Sequence, residues 1–191
     1  MDQELLERID LIERMVLEGR RTGQYWGWCL ALWGTGQLVA LGLSMLHWYP
    51  TLIWAVTMGT CGVVTALVST RQRRAANKQT LLSRSVLAVW IGFGVSITLL
   101  SFVGNPAGIF SLRSYCTVFF VLMGFTNTAS GIILRWPLQI WIGIAWWLAA
   151  VVTVFDPEKI IGWTLITMIF LGEVVFGVYL MARERADRRH A

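Results

Sequence analysis

A single carboxylate, Glu173, lies in the middle of a long apolar stretch, MIFLGEVVFGVYLMARER, that runs from Met168 to Arg185. A carboxyl group in such a place can take up a proton, coordinate a cation or accept a hydrogen bond from a neighbouring helix. Holding a charged side chain at the centre of a bilayer costs about 2.5–3.5 kcal/mol on insertion scales. No Lys or Arg lies within any apolar stretch to offset the charge. We therefore expect a neutral carboxylic acid with uncharged hydrogen-bond partners.

Uncharged polar side chains at comparable depth in other apolar stretches are the expected partners of this acid. The candidate intramembrane polar site therefore consists of Glu173, Asn127, Gln37 and Ser130. Two interpretations stay open. In one, Glu173 has a structural role and joins two helices by a hydrogen bond. In the other, it senses or relays protons or coordinates a passing cation.

No catalytic motif accompanies the carboxylate. The chain has no Walker loop, GxSxG or HExxH sequence, and its cysteines, Cys29, Cys61 and Cys116, show no CxxC spacing. Such isolated cysteines are expected to pack as small apolar side chains. His47 and His190 are too few for a metal site. We expect no enzymatic activity, no cofactor and no metal.

The composition predicts an integral membrane protein. Of the 191 residues, 56% are hydrophobic and 14% are charged, and the mean hydropathy is +0.62. Soluble domains carry about 25% charged residues. Crossing a hydrocarbon core of roughly 30 Å takes about 20 apolar residues, and several runs of this length are present.

Six stretches are predicted to cross the membrane as α-helices, because helices satisfy their own backbone in lipid. They are residues 25–46, 51–69, 86–103, 115–134, 137–155 and 160–182. The predicted fold class is an all-α, polytopic membrane protein. Its six-helix bundle (25–182) follows an N-terminal cytoplasmic amphipathic helix (1–22) and precedes a basic cytoplasmic tail (183–191).

The distribution of positive charge predicts the orientation. Of the 16 Lys and Arg residues, only Arg113 and Lys159 fall on the side of the membrane opposite the N-terminus. This bias places both termini in the cytoplasm of a multi-pass plasma (inner) membrane protein. The acidic opening, MDQELLERIDLIERM, does not resemble a cleavable signal peptide, so the first span is expected to act as the anchor. The net charge of +5 needs only anionic lipids, not nucleic acid, as its partner.

The spans also predict an internal repeat. VWIGFGVSITLLSF (89–102) and IWIGIAWWLAAVVTVF (140–155) share a Trp-Ile-Gly opening, and LWGTGQLVALGL (32–43) is related. Each partner span carries a Gly about three turns before an Arg: Gly59 with Arg71, Gly124 with Arg135, and Gly172 with Arg183. We therefore expect three helical hairpins, about 25–69, 86–134 and 137–182, related by an axis along the membrane normal.

This hairpin pattern resembles a known family. In the first hairpin it is carried by Trp33, Gly34, Gly42, Pro50, Gly62 and Arg71, and in the third by Trp141, Gly143, Pro157, Gly172, Gly177 and Arg183. Three such hairpins in about 190 residues resemble the HdeD-like acid-resistance membrane proteins. The middle hairpin departs from the pattern, with a longer outer loop and Asn127 in its second helix. The resemblance implies a non-enzymatic inner-membrane protein linked to acid stress.

Small residues predict where helices pack closely, because they let backbones approach in lipid. Gly36, Ala40 and Ser44 recur every four residues in the first span, and Gly124, Thr128 and Gly131 share a face of the fourth. These stripes are expected either to pack hairpins together or to form a subunit interface. Deep tryptophans such as Trp146 and Trp147 are expected to pack rather than to bind a ligand.

The N-terminal segment is predicted to be a protein-contact helix. Leu5, Ile9, Ile12 and Val16 form an apolar stripe on a helix otherwise rich in Glu and Arg. A purely lipid-bound helix would carry mostly Lys and Arg on its polar face. We expect this helix to dock on the bundle or on a partner protein.

Three functions stay open. The first is a non-enzymatic, stress-related membrane protein that acts through oligomerisation or through membrane or cytoplasmic partners. The second is a small proton or cation channel or transporter that uses Glu173. The third is a membrane anchor or sensor that recruits a cytoplasmic partner through the N-terminal helix.

Overall fold

The computed structural model describes residues 26–46, 49–75, 81–104, 107–155 and 158–189. These residues form helices joined by short turns, and they include no strand. The α-helices are α1 (Gly27–Leu46), α2 (Pro50–Ala75), α3 (Leu81–Leu99), α4 (Leu112–Ile133), α5 (Pro137–Phe155), α6 (Glu158–Ile169) and α7 (Phe176–Arg189). One π-helical turn, Leu100–Gly104, follows α3, and a second, Phe170–Val175, joins α6 to α7.

Six stretches of helix within these described residues are long and apolar enough to cross a membrane. They are Gly27–Leu46, Pro50–Arg71, Arg84–Gly104, Leu112–Ile133, Pro137–Phe155 and Ile160–Ala186. Each agrees with its predicted span to within four residues at either end. The prediction of helical structure with six helices able to span a membrane is therefore confirmed for the described residues.

Local sequence explains several helix ends. Pro50 and Pro137 are the first residues of α2 and α5, where proline lacks only an N–H that has no helical partner. Ser111 caps α4, because its hydroxyl oxygen accepts a hydrogen bond from the Ser114 backbone N–H at 3.2 Å. α7 continues to Arg189, so the predicted basic tail is helical over most of its length.

The described residues divide into two compact units. We call residues 81–165 the middle unit, and residues 26–75 with 166–189 the flanking unit. In the middle unit, α4 packs against both α3 and α5. In the flanking unit, α1 packs against α2 on one side and against the Phe170–Val175 turn and α7 on the other. The arrangement of the spans as three repeated hairpins stays a prediction.

A tight turn joins α4 to α5. The Trp136 N–H donates to the Gly131 carbonyl at 2.7 Å, which is the six-to-one bond of a Schellman motif. Arg135 adopts the left-handed conformation (φ 49°) that this motif requires. The turn sends α5 back along α4.

The core of the middle unit is aromatic. The Trp146 ring packs against Phe119 and Phe120, with ring centroids 5.8 and 5.6 Å apart. Trp146 is fully buried in this core, whereas Trp147 is 37% exposed. Large apolar side chains elsewhere lie on outward surfaces, among them Leu52, Val56, Val63 and Leu67 of α2. Outward apolar side chains of this kind are expected of a helix surrounded by lipid.

Candidate functional site

Glu173 lies in the Phe170–Val175 turn and is only 2% exposed. In this turn the Phe176 N–H reaches back to the carbonyls of Leu171 and Glu173. A π-helical turn contains one residue more than an α-helical turn, and such turns occur frequently at functional sites. The extra residue changes which face of the helix the following side chains share with Glu173.

One hydrogen bond joins Glu173 to α1. The side-chain nitrogen of Gln37, Nε2, donates to Glu173 Oε2 at 2.8 Å. The second carboxyl oxygen, Oε1, is buried and has no hydrogen-bond partner among the described residues. One oxygen of the carboxyl group therefore accepts a hydrogen bond, and the other has no partner among the described residues.

Gly34 makes room for this hydrogen bond. A Cβ atom at position 34 would lie 2.7 Å from Glu173 Cβ and 2.9 Å from Val174 Cγ2. Gly34 and Gln37 are three residues apart and therefore share a face of α1. A larger residue at position 34 would push the carboxyl group away from the amide.

The same face of α1 approaches α7 closely. A Cβ atom on Gly177 would lie 2.6 Å from both the Ala31 nitrogen and the Gly27 oxygen. A Cβ atom on Gly27 would lie 2.6 Å from Leu180 Cβ. This contact between α1 and α7 was not among those predicted from the sequence. Its signal is the spacing of Gly27, Ala31 and Gly34 by four and three residues.

The stripe expected in the first span lies partly against α2. A Cβ atom on Gly36 would lie 2.6 Å from the sulfur of Cys61. Ala40 is buried, and the Ser44 hydroxyl donates to the Ala40 carbonyl within α1 at 2.7 Å. The contact at Gly36 is therefore packing within one chain.

Polar side chains also meet between α1 and α2. Trp33 Nε1 donates to the Thr65 hydroxyl oxygen at 3.0 Å. The same hydroxyl lies 3.9 Å from the Cys29 sulfur. Together with Gln37, these residues place polar side chains one turn apart on α1, at positions 29, 33 and 37.

The stripe expected in the fourth span lies against α5. Three close contacts define the interface: Gly124 with Trp147, Thr128 with Gly143, and Gly131 with Ile140. Trp147 also donates its Nε1 hydrogen to the Val121 carbonyl at 3.2 Å. The small residues of this stripe pack two consecutive helices of the same chain.

Asn127 and Ser130, the remaining members of the predicted polar site, belong to the middle unit. Asn127 Nδ2 donates to the Met123 carbonyl one turn back on α4, at 2.9 Å. Asn127 Oδ1 and the Ser130 hydroxyl are buried without a hydrogen-bond partner among the described residues. Two further residues, Gln139 and Trp146 on α5, were not predicted as part of this site. Their side chains also have a buried polar atom without a hydrogen-bond partner among the described residues.

The chemistry available at Glu173 is that of one buried carboxyl group with one amide donor. No group of three His, Cys, Asp or Glu side chains in the described part of the chain is placed to hold a metal ion. The predicted contact stripe of the N-terminal helix, Leu5, Ile9, Ile12 and Val16, lies outside the described residues. A lone carboxyl group of this kind can take up and release a proton, or hold a helix in place.

Comparison with protein-family models, with curated proteins and with solved structures found no match to this chain.

Proposed function

We propose that this chain is a non-enzymatic membrane protein of acid stress, in which the protonation state of Glu173 controls how tightly the first and last membrane helices pair. The burial of this carboxyl group, with the uncharged amide of Gln37 as its hydrogen-bond donor, carries the proposal. The acid-stress role rests in addition on the resemblance to the HdeD-like proteins. The three hairpins, the inner-membrane location with cytoplasmic termini, and action through oligomers or partners belong to the same proposal.

The physical basis is the difference between a neutral and an ionised carboxyl group in a low-dielectric setting. A neutral acid keeps its hydrogen bond to Gln37 at little electrostatic cost, whereas a buried carboxylate without a cation is strongly unfavourable. Helix α1 carries no charged residue. The titratable side chains on the helices packed here, apart from Glu173 itself, include the thiols of Cys29 on α1 and Cys61 on α2. The charged residues of α2 begin at Arg71, and α7 adds Tyr179 and, from Arg183 onward, a run of charged residues ten or more positions beyond Glu173. Ionisation therefore weakens the pairing of α1 with the last span, and protonation restores it.

The test is to unfold the full-length protein in lipid nanodiscs at acid, neutral and alkaline pH, as wild type and as Glu173→Gln. Glutamine has the shape of the protonated acid but cannot ionise. We expect the wild type to lose stability relative to Glu173→Gln as the pH rises. Thr35→Val, at an exposed position of α1, leaves Glu173 in place and is the matched control, which should keep the wild-type pH dependence. Equal pH dependence in wild type and Glu173→Gln would contradict the proposal.

The buried Glu173 oxygen without a hydrogen-bond partner among the described residues and the π-helical turn that holds it support a second candidate function, proton or cation transport. The measurement is the flux of protons and monovalent cations into liposomes that contain wild type or Glu173→Gln. Flux that is lost in the variant would assign transport to Glu173. Absence of flux in both, together with the pH-dependent stability described above, would support the first proposal.

The cellular role is tested by survival after acid shock. Deletion of the protein should lower survival, and wild type should restore it. Glu173→Leu, which keeps the site apolar but cannot bind a proton, should not. Full survival of cells with Glu173→Leu would show that Glu173 is not required for survival after acid shock.

A further inference from the structure

A second set of buried polar side chains lies in the middle unit, on α4 and α5. Trp146 is 0%, Asn127 1% and Gln139 6% exposed. Each has one polar atom without a hydrogen-bond partner among the described residues: Nε1 of Trp146, Oδ1 of Asn127 and Oε1 of Gln139. Buried polar atoms in folded proteins are nearly always paired with protein or with ordered water. None of these three residues takes part in the role proposed for Glu173.

The close contacts between the helices fix the order of these groups along the pair. Because Gly124 meets Trp147 and Gly131 meets Ile140, each step forward along α4 is matched by a step back along α5. With a rise of about 1.5 Å per residue, Trp146, Asn127, Ser130 and Gln139 then follow one another at intervals of about 3–4.5 Å along the axis. These intervals are close to the length of one hydrogen bond between water molecules.

Helical periodicity puts the four side chains on one side of the pair. On α4, the face that contacts α5 is centred between Gly124 and Thr128. With 3.6 residues per turn, the side chains of Asn127 and Ser130 both lie on the same side of this face. On α5, Gln139 and Trp146 lie to one side of Gly143. Because α5 runs antiparallel to α4, both pairs point to the same side of the two helices.

The unpaired atoms define the chemistry of what binds them. Trp146 Nε1 can only donate, whereas Asn127 Oδ1 and Gln139 Oε1 can only accept. The other polar atom of Asn127 is already bonded to the Met123 carbonyl. A molecule that joins these groups must therefore accept from one and donate to another. None of the four side chains is charged, which favours a neutral molecule over an ion.

We infer that the α4–α5 pair binds a short chain of water molecules along Trp146, Asn127, Ser130 and Gln139. Buried water typically makes about three hydrogen bonds to polar groups that would otherwise be unpaired. The Ser130 hydroxyl is an additional contact for this water. Of the other buried hydroxyls of this pair, those of Thr126 and Thr153 are bonded within their own helices to the carbonyls of Leu122 and Ala149. The hydroxyl of Thr128, on the face that meets Gly143, has no hydrogen-bond partner among the described residues.

The test is radiolytic labelling of the full-length protein in lipid nanodiscs. Hydroxyl radicals that form from a bound water oxidise the side chains next to it. Trp146 and its neighbour Trp147 provide an internal comparison, because Trp147 is 37% exposed on a helix surface that we expect to face lipid. We expect fully buried Trp146 to be oxidised several-fold faster than Trp147. Labelling of Trp146 that is equal to or slower than that of Trp147 would overturn the inference.

Two variants separate bound water from transient opening of the helices. Asn127→Leu removes one anchoring group and should lower the Trp146 oxidation rate by about fivefold, because a water that loses a partner is held less well. Thr153→Val removes a buried hydroxyl that is bonded within α5 and should leave the rate unchanged. Unchanged or faster labelling of Trp146 in Asn127→Leu would indicate opening and overturn the inference. If Asn127→Leu does not fold, the wild-type comparison of Trp146 with Trp147 still decides.

Discussion

Gln37 and Glu173 are 136 residues apart in sequence, and their side chains meet through one hydrogen bond. Replacing Gln37 by Leu leaves the buried carboxyl group without this donor. We expect Gln37→Leu to lower the free energy of unfolding by about 1–3 kcal/mol, the usual cost of a buried group that loses its partner. Thr35→Val, at an exposed position of α1, is the matched control. Denaturant unfolding in micelles measures both, and equal stability of Gln37→Leu and wild type would contradict the assigned bond.

Gly34 gives a second prediction at the scale of one residue. The carbon added by Gly34→Ala would press on Glu173 and Val174, so we expect a loss of about 1–3 kcal/mol from overpacking. Gly42 lies on the same helix with no neighbouring atom within 4 Å. Gly42→Ala should therefore be neutral or add up to about 1 kcal/mol through helix propensity. The difference between the two thermal midpoints is the readout, and similar midpoints would argue against the close contact at Gly34.

The sequence is sufficient to select Glu173, because a single acid within a long run of apolar residues can be recognised from the sequence pattern alone. Gln37, Asn127 and Ser130 are its expected partners because they lie at a comparable depth in the membrane. Depth and periodicity do not decide which helices are neighbours, so they cannot rank these three. The role of Gly34 depends on the backbone of a distant helix and has no local signature.

At the scale of elements, α4 and α5 form a pair whose backbones are close at Gly143. A Cβ atom there would lie 2.8 Å from the Gly124 carbonyl oxygen and from the Thr128 nitrogen, and neither can move as a flexible side chain can. We expect Gly143→Ala to destabilise the protein by about 1–3 kcal/mol. Gly92→Ala on α3, with no atom within 4 Å, is the control. Denaturant unfolding of the two variants in micelles measures the difference, and equal stability of Gly143→Ala and wild type would contradict this packing.

The helical spans are predictable from sequence because length and hydropathy alone set them. The two π-helical turns are not, since the apolar residues of LSFVG (100–104) and FLGEVV (170–175) are equally compatible with α-helical hydrogen bonding. Neither turn contains a proline, and the single glycine in each, Gly104 or Gly172, is no marker because glycines also occur throughout the α-helical spans. Hydropathy also does not predict that α2 continues to Ala75 and α7 to Arg189. These helix ends are rich in Arg, so they are helical without being apolar.

For the whole molecule, the distribution of Lys and Arg predicts the orientation in the membrane. In a variant in which Cys29, Cys61 and Cys116 are replaced by Ala, single cysteines are placed at Ala107 and Ala186, both exposed. We expect Ala186→Cys to react with an impermeant maleimide only in inside-out vesicles, and Ala107→Cys only in intact cells. The reverse pattern would contradict the predicted orientation.

The pairing of α1 with the last span also has a consequence for synthesis. The ribosome releases α1 first, and four further spans follow before Glu173 and Gly177 emerge. During that interval the amide of Gln37 and the glycine face of α1 have to be shielded by lipid, by other spans or by the insertion machinery. A nascent chain that stalls before its last span would present this unpaired amide inside the bilayer, which is the type of feature that membrane quality-control proteases can recognise.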